Sequence, residues 1–150
     1  MRKGFFILQL LISLAYYTNG QTVVISQVYG GGGNSGATYT HDFIEIFNAT
    51  GSPISLTGWS VQYNSAAGTG TWQVTNLSGT LAAGQYYLIQ EAMGSGGSVP
   101  LPTPDATGTI TMAATNGKVA LLNTTTALTG DMPVSASVID LVGFGTANYF

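Results

Sequence analysis

The chain has 150 residues, of which 6% are charged, a formal net charge of −3 and no cysteine. This length suits one domain with one hydrophobic core, and the missing cysteine excludes disulfide scaffolds, thiol catalysis and zinc–thiolate sites. The scarcity of lysine and arginine disfavours nucleic acid and anionic membranes as partners, because neutralised phosphates supply most non-specific affinity for nucleic acid.

The N-terminus has the residue order of a secretory signal peptide. Arg2 and Lys3 precede the apolar run GFFILQLLISLAYY, which gives way to the small polar stretch TNG. This order predicts a signal peptide over residues 1–20, with cleavage before Gln21. The competing interpretation is a retained membrane anchor, but the run is shorter than the about 20 apolar residues that a spanning helix needs.

Cleavage would leave one domain over residues 21–150, secreted or held at the cell surface, with no stable membrane span. This part of the chain carries one lysine against six carboxylates, a net charge of −5. Removal of the signal peptide therefore strengthens the case against nucleic-acid binding.

The rest of the sequence predicts short β-strands between turn signals. Trp59, Val61 and Tyr63 share one face of a predicted strand. Ser60 and Gln62 share the other face, so this strand is expected to have one buried and one solvent-facing side. In the next strand Trp72 and Val74 are the inward candidates. The predicted strands are residues 22–28, 42–48, 54–56, 58–64, 71–75, 85–91, 109–113, 118–123 and 137–144.

The number and spacing of these strands indicate the fold class. Residues 93–108 contain three prolines and predict a loop, and nothing after the signal peptide has the pattern of an amphipathic helix. Short, closely spaced strands without helices predict an all-β, antiparallel sandwich or barrel.

Four consecutive glycines, residues 30–33, form the first candidate for chemistry. A phosphate-binding loop needs a following lysine and a helix behind it. Here no lysine follows, and the next predicted element is a strand. The dinucleotide-binding fingerprint fails for the same reason. We therefore predict a flexible strand-to-strand connection whose glycines permit positive φ.

His41, Asp42 and Glu45 form the second candidate, since a histidine and two carboxylates could bind a metal or share acid–base work. The strand period separates them, because Asp42 and Glu45 lie three residues apart and project to opposite faces. Glu45 shares its face with Phe43 and Phe47, and burial of that face would require a partner for the carboxylate. For Glu45, a structural carboxylate is the favoured interpretation.

The sequence predicts no catalytic, cofactor-binding or metal-binding residues. A Ser-His-Asp triad would have to recruit His41, and no Gly-x-Ser-x-Gly elbow accompanies it. Asp140 lies among apolar residues of a predicted strand. Calcium binding at Asp105 or Asp131 stays open, although neither has clustered acidic neighbours.

Several motifs carry a family resemblance. The stretch VVISQVYGGGGNSGATYTHDFIEIFNATGSPISLTGWSVQY, the segment GTLAAGQYYLIQ and residues 117–123 resemble the lamin-tail domain family, especially its secreted bacterial branch. The resemblance implies an immunoglobulin-like β-sandwich without catalytic residues. It also implies an accessory module of secreted multidomain proteins, some of which carry an endonuclease/exonuclease/phosphatase-type domain and others a surface-sorting tail.

These observations lead to three hypotheses of function. The first is an exported, non-catalytic binding or spacer module without a cofactor, which presents residues 30–40 and 93–108 for protein or carbohydrate contact. The alternative is the N-terminal accessory domain of a secreted endonuclease/exonuclease/phosphatase-type enzyme. For this hypothesis we expect that the chain is truncated after its last strand and that the catalytic part follows residue 150. A third hypothesis is a metal-dependent hydrolase that uses His41, Asp42 and Glu45.

Overall fold

The structure, a computed structural model, describes residues 23–149. The predicted signal peptide and the cleavage point before Gln21 lie outside the described residues. Within that range the chain is all-β and contains no helix, as the sequence predicts. No helical segment there has the length and apolarity to cross a bilayer. The strands are β1 (Val23–Tyr29), β2 (His41–Asn48), β3 (Ile54–Ser55), β4 (Ser60–Asn64), β5 (Gln73–Asn76), β6 (Thr80–Leu81), β7 (Tyr86–Met93), β8 (Ala106–Thr107), β9 (Gly117–Leu122) and β10 (Val138–Phe144).

The strands form an immunoglobulin-like sandwich of two four-stranded sheets. The first sheet has the order β1-β2-β7-β8 and the second the order β10-β9-β4-β5, while β3 and β6 form a small separate ladder. All pairs within the sheets are antiparallel except β7 with β8. The antiparallel sandwich predicted from strand number and spacing is therefore confirmed.

The core lies between the two sheets. Ile44 and Ile46 of β2 are fully buried, as are Val61 of β4 and Val119 of β9. Burial of each such side chain stabilises the fold by about 1.5–3 kcal/mol. Ile44 and Ile46, whose alternation with other residues predicted β2, are thus among the β-branched side chains that pack the two sheets together.

The outer face of the second sheet is covered, contrary to prediction. Ser60 and Gln62 were expected to face solvent, but both are fully buried. The segment after β9 lies over them: Ser60 Oγ donates to the Thr124 carbonyl at 2.6 Å, and Gln62 Nε2 donates to the Thr126 carbonyl at 2.9 Å. Leu128 N–H donates to Gln62 Oε1 at 2.8 Å. The polar side chains of β4 therefore bind loop backbone instead of water.

Trp72 and Val74 belong to the same outer face. Val74 pairs with Gln62 across β4 and β5, so both side chains project away from the main core. Trp72 is buried against Leu128 in a second, smaller apolar cluster. The prediction that Trp72 and Val74 face the main core is wrong: both lie on the outer face of the second sheet. Trp72 is nevertheless buried, because the smaller apolar cluster covers it on that face. Thr75 faces the main core in their place.

Two further strand predictions need correction. The predicted loop over residues 93–108 begins within β7 and contains the short strand β8. Residues 109–113 form no strand. Instead, the Ile110 and Met112 N–H groups donate to carboxylate oxygens. Side-chain acceptors from the first sheet thus replace a neighbouring strand.

Candidate functional site

The glycine loop (residues 30–40) packs against a second loop (residues 93–99) through their backbones. Gly96 N–H donates to the Gly33 carbonyl at 2.6 Å. A Cβ atom on Gly33 would lie 2.2 Å from the Gly94 Cα atom, a separation that real Cβ contacts essentially never show. The two loops therefore form one hydrogen-bonded unit at the end of the first sheet.

Close packing, more than positive φ, explains the glycine run. Of the four consecutive glycines only Gly33 has a positive φ, at 68°. A Cβ on Gly32 would lie 1.9 Å from the His41 carbonyl carbon. The predicted flexible connection is thus a packed loop, in which the missing side chains let backbones touch.

Asp42 is the structural carboxylate of this region. Its side chain is 3% exposed and faces the core, where Oδ1 accepts from the Gly32 N–H and Oδ2 from the Met112 N–H, both at 2.8 Å. Burial raises the pKa of Asp42 above its ordinary value, while the two backbone N–H groups and nearby His41 oppose the rise. Because both oxygens are occupied by backbone donors, Asp42 ties the glycine loop to residues 109–113.

Glu45 and His41 lie on the opposite face of β2 from Asp42, as the strand period predicts. Glu45 is half-buried, and its Oε1 accepts from Ser26 Oγ at 2.7 Å. His41 Nδ1 lies 2.9 Å from Thr40 Oγ1. Among the described residues no group of three or more histidine or carboxylate side chains is placed to hold a metal ion. The structure therefore does not bring the three candidate residues together.

The other carboxylates considered are held by the chain itself. Asp105 Oδ2 accepts from the Leu88 N–H at 2.8 Å, and Asp140 Oδ2 accepts from the Ile25 N–H at 2.7 Å. Asp131 binds Lys118, as described below. Asp105 and Asp140 thus each bind a backbone N–H that is distant in the sequence.

Glu91 is a buried carboxyl group that the sequence interpretation missed. It is 1% exposed, and its Oε2 accepts from the Ile110 N–H at 2.9 Å. Its Oε1 and the buried Thr75 Oγ1 find no hydrogen-bond partner among the described residues. Desolvation raises the pKa of Glu91 to about 7; neighbouring Thr75 and the Ile110 N–H oppose the rise, and the charge of Asp42 adds to it. Glu91 lies two and four residues from the core residues Ile89 and Tyr87 on the same strand, and this spacing could have indicated that its side chain faces the core.

Lys118 is the only lysine or arginine among the described residues, and its side chain is fully buried. Its Nζ lies 2.5 Å from Asp131 Oδ1 and donates to the Asp131 carbonyl at 2.8 Å. The hydrogen bond from Lys118 Nζ to the Asp131 carboxylate, and a second one from Asn148 Nδ2, hold the pKa of Asp131 below its ordinary value. Trp72 lies nearby, with its ring centroid 5.7 Å from Nζ. The described surface therefore presents no lysine or arginine charge.

The outer face of the first sheet is aromatic. Tyr29 of β1 stacks on Phe43 of β2, with ring centroids 5.2 Å apart and an interplanar angle of 16°. Tyr39 meets both rings edge-on, at 5.6 Å and 5.8 Å. Phe47 packs against Tyr86 at 4.7 Å, and Tyr86 is 59% exposed. Strand pairing fixes this pattern, because Tyr29 is opposite Phe43 and Phe47 is opposite Tyr86.

A cavity of about 170 Å³ opens on this aromatic face. It combines aromatic rings with an amide and a carboxylate, and the segment after the second loop forms one wall. The lining residues are Gln27, Tyr39, Phe43, Glu45, Leu88, Leu101 and Pro102. Aromatic surface with a few polar groups is the usual composition of a small-ligand site.

Two larger cavities lack this combination. A cavity of about 260 Å³ lies between the edge strands β1 and β10. Another, of about 410 Å³, lies beside residues 122–137. Neither is lined by a charged side chain. The aromatic face, defined here by Gln27, Tyr29, Tyr39, Phe43, Glu45, Phe47, Tyr86 and Leu88, is therefore the candidate functional site.

Comparison with known proteins agrees with this fold. The family model of the Lamin Tail Domain matches residues 17–145 and so spans both four-stranded sheets. No curated protein sequence matches the chain.

Proposed function

The chain belongs to the lamin tail domain family, and from this premise we propose that it is an exported, non-catalytic β-sandwich module that binds a protein or carbohydrate ligand. The proposed module spans residues 21–150 and belongs to the secreted bacterial branch, with residues 1–20 as its signal peptide. In this proposal the module acts outside the cell or on the cell surface. Loss of the predicted signal peptide leaves an acidic, lysine-poor domain.

The aromatic face is the observation that carries this proposal. Ordinary sandwich sheets bury one face and expose polar residues on the other. Here the outer face of β1, β2 and β7 exposes Tyr86 and keeps Phe47 half-buried. Exposed apolar patches bordered by polar groups mark interaction sites. The proposed contact surface is thus the sheet face, and the two packed loops frame it.

The engagement of Asp42 supports a non-catalytic role. Asp42 has both oxygens bound to backbone N–H groups and is 3% exposed, so it holds loops in place and is out of reach of a substrate. His41 and Glu45 lie on the other side of the sheet from it. A metal-dependent hydrolase would need these three groups around one reacting centre.

Secretion and hydrolysis assays test the proposal. Protein recovered outside the producing cell is expected to begin at Gln21 by N-terminal mass; an intact Met1 there would contradict export through a cleaved signal. The purified chain without residues 1–20 keeps every described residue and is expected to hydrolyse neither phosphoesters nor glycosides. Chelator-sensitive hydrolysis that disappears in His41→Ala would overturn the non-catalytic role.

The second candidate is an N-terminal accessory domain of a secreted endonuclease/exonuclease/phosphatase-type enzyme. The family resemblance motivates it, and the buried lysine adds a constraint: contacts to nucleic acid would have to come from the enzyme domain. The reading frame beyond Phe150 discriminates between the candidates. A phosphoesterase domain encoded there would support this candidate, and an immediate stop would contradict it.

A further inference from the structure

We propose that the aromatic face binds a neutral oligosaccharide, with one sugar ring in the cavity beside Tyr39 and Phe43 and another on the Phe47–Tyr86 pair. This inference rests on the proposed function and names the ligand class of that site. It depends on the ring geometry, on the polar groups beside the rings and on the charge of the surface.

The rings form a preorganised apolar platform. Tyr29, Tyr39 and Phe43 contact one another through one stacked and two edge-on arrangements, so each ring is held by the other two. Rigid aromatic side chains supply contact area at a low cost in conformational entropy. Phe43 is 5% exposed and supports the half-buried Tyr29 and Tyr39 rings. A pyranose ring can pack its apolar face of C–H groups on the accessible part of these two rings.

The polar groups of the cavity match hydroxyl groups. Gln27 offers both donors and an acceptor, and the Glu45 carboxylate offers acceptors only. Glu45 is already positioned by the hydrogen bond from Ser26 Oγ. A sugar hydroxyl donates one hydrogen bond and accepts others, so neighbouring hydroxyls can satisfy both side chains. A proline-rich peptide also suits an aromatic groove, but proline has no N–H to offer Glu45.

The charge of the surface favours a neutral ligand. Lys118 is buried and paired with Asp131, so no lysine or arginine among the described residues can pair with a phosphate, sulfate or uronate. Glu45 lies within the cavity itself and would repel such a group. A neutral ligand rich in hydroxyl donors is complementary to this surface.

The dimensions indicate more than one sugar unit. The cavity of about 170 Å³ is smaller than the roughly 300–1,000 Å³ of sites for drug-sized ligands, so it suits a single ring. Phe43 and Phe47 are four residues apart on the same face of β2, which separates them by about 13 Å. One ring cannot reach both, whereas a short oligosaccharide can.

Isothermal titration with a panel of neutral hexasaccharides tests the inference. The panel contains xylohexaose, cellohexaose, mannohexaose, maltohexaose and chitohexaose; a heparin hexasaccharide and a proline-rich decapeptide represent the other ligand classes. At least one neutral hexasaccharide is expected to bind. Tyr39→Ala and Tyr86→Ala are each expected to weaken that binding about tenfold. Glu45→Gln is expected to weaken it severalfold, because the charge-assisted hydrogen bonds are lost.

Val134→Ala is the matched control, because Val134 is 98% exposed and lies outside the aromatic face; its affinity should equal that of the unmodified chain. Tyr86 is 59% exposed, so its alanine variant remains informative if Tyr39→Ala fails to fold. The inference is overturned if no neutral hexasaccharide binds, if Tyr86→Ala binds as well as Val134→Ala, or if the heparin fragment or peptide binds more tightly. None of these results alters the secretion and hydrolysis tests, so the two proposals fail separately.

Discussion

Substitution of Glu91 by glutamine should stabilise the domain, and more so as the pH rises. The carboxyl group is 1% exposed, and burial raises its pKa from 4.5 to about 7. A raised pKa in the folded state means that the proton favours folding. Below pH 4.5 both folded and unfolded states hold the proton, and this group makes no pH-dependent contribution. Between pH 4.5 and 7 the unfolded state ionises first, so stability falls as pH rises.

The pKa sets the magnitude. A rise from 4.5 to about 7 corresponds to a loss of about 3 kcal/mol in the free energy of unfolding at pH 9. Glu91→Gln removes the buried charge and keeps an oxygen for the Ile110 N–H. Its amide can also hydrogen-bond to the neighbouring Thr75 hydroxyl.

Urea unfolding followed by tryptophan fluorescence at pH 5 and pH 9 measures the effect. The gain in the free energy of unfolding for Glu91→Gln is expected to be about 1 kcal/mol at pH 5, where the unfolded state is already largely ionised, and to approach about 3 kcal/mol at pH 9. Glu45→Gln, which removes the same charge from the outer face of the neighbouring strand, is the control and should change stability by about 0.5 kcal/mol or less. A Glu91→Gln effect that is equal at both pH values would refute the reasoning.

Three other substitutions probe the elements that hold the loops. Asp42→Ala leaves two buried N–H groups without an acceptor and is expected to cost about 2–5 kcal/mol in urea unfolding; a loss below 1 kcal/mol would contradict its structural role. Gly32→Ala places a Cβ 1.9 Å from the backbone and should destabilise the domain by about 1–3 kcal/mol or more. Gly51→Ala, with open space around the new Cβ, should leave stability unchanged. Equal thermal unfolding midpoints for the two variants would contradict the close packing of Gly32. Asp131→Asn leaves the buried Lys118 charge uncompensated and should destabilise more than the double variant that adds Lys118→Met. Because the pKa of Asp131 is lowered in the folded state, the contribution of Asp131 to the free energy of unfolding should be complete above pH 3.8 and decline as the pH falls below that value. A double variant that is less stable than Asp131→Asn alone would refute the pairing of Asp131 with Lys118.

Strand periodicity predicted the fold because alternate residues of a strand project to opposite faces of the sheet. Ile44 and Ile46 lie on one side of β2 and Glu45 on the other, as their spacing requires. Periodicity does not show which face is covered, however. Ser60 and Gln62 have the pattern of a solvent face, yet a segment about 64 residues away binds both.

The carboxylates show the same limit at the candidate site. The sequence predicted that Asp42 and Glu45 diverge and that Glu45 is a structural carboxylate. Only the structure shows that the buried carboxylate is Asp42, since one of its donors, the Met112 N–H, is 70 residues away. Nothing local to Met112 signals this contact. The aromatic face was likewise hidden, because Tyr29, Phe43 and Tyr86 meet only through the register of three strands.

Amide chemical-shift mapping tests the central claim, binding at the aromatic face, most directly. The ¹⁵N-labelled chain without residues 1–20 is titrated with the neutral hexasaccharide panel and monitored residue by residue. We expect the largest shifts at Gln27, Phe43, Glu45, Phe47 and Tyr86, with little change at residues 122–137 beside the cavity of about 410 Å³. Shifts concentrated at residues 122–137, or no shifts at millimolar ligand, would contradict the claim.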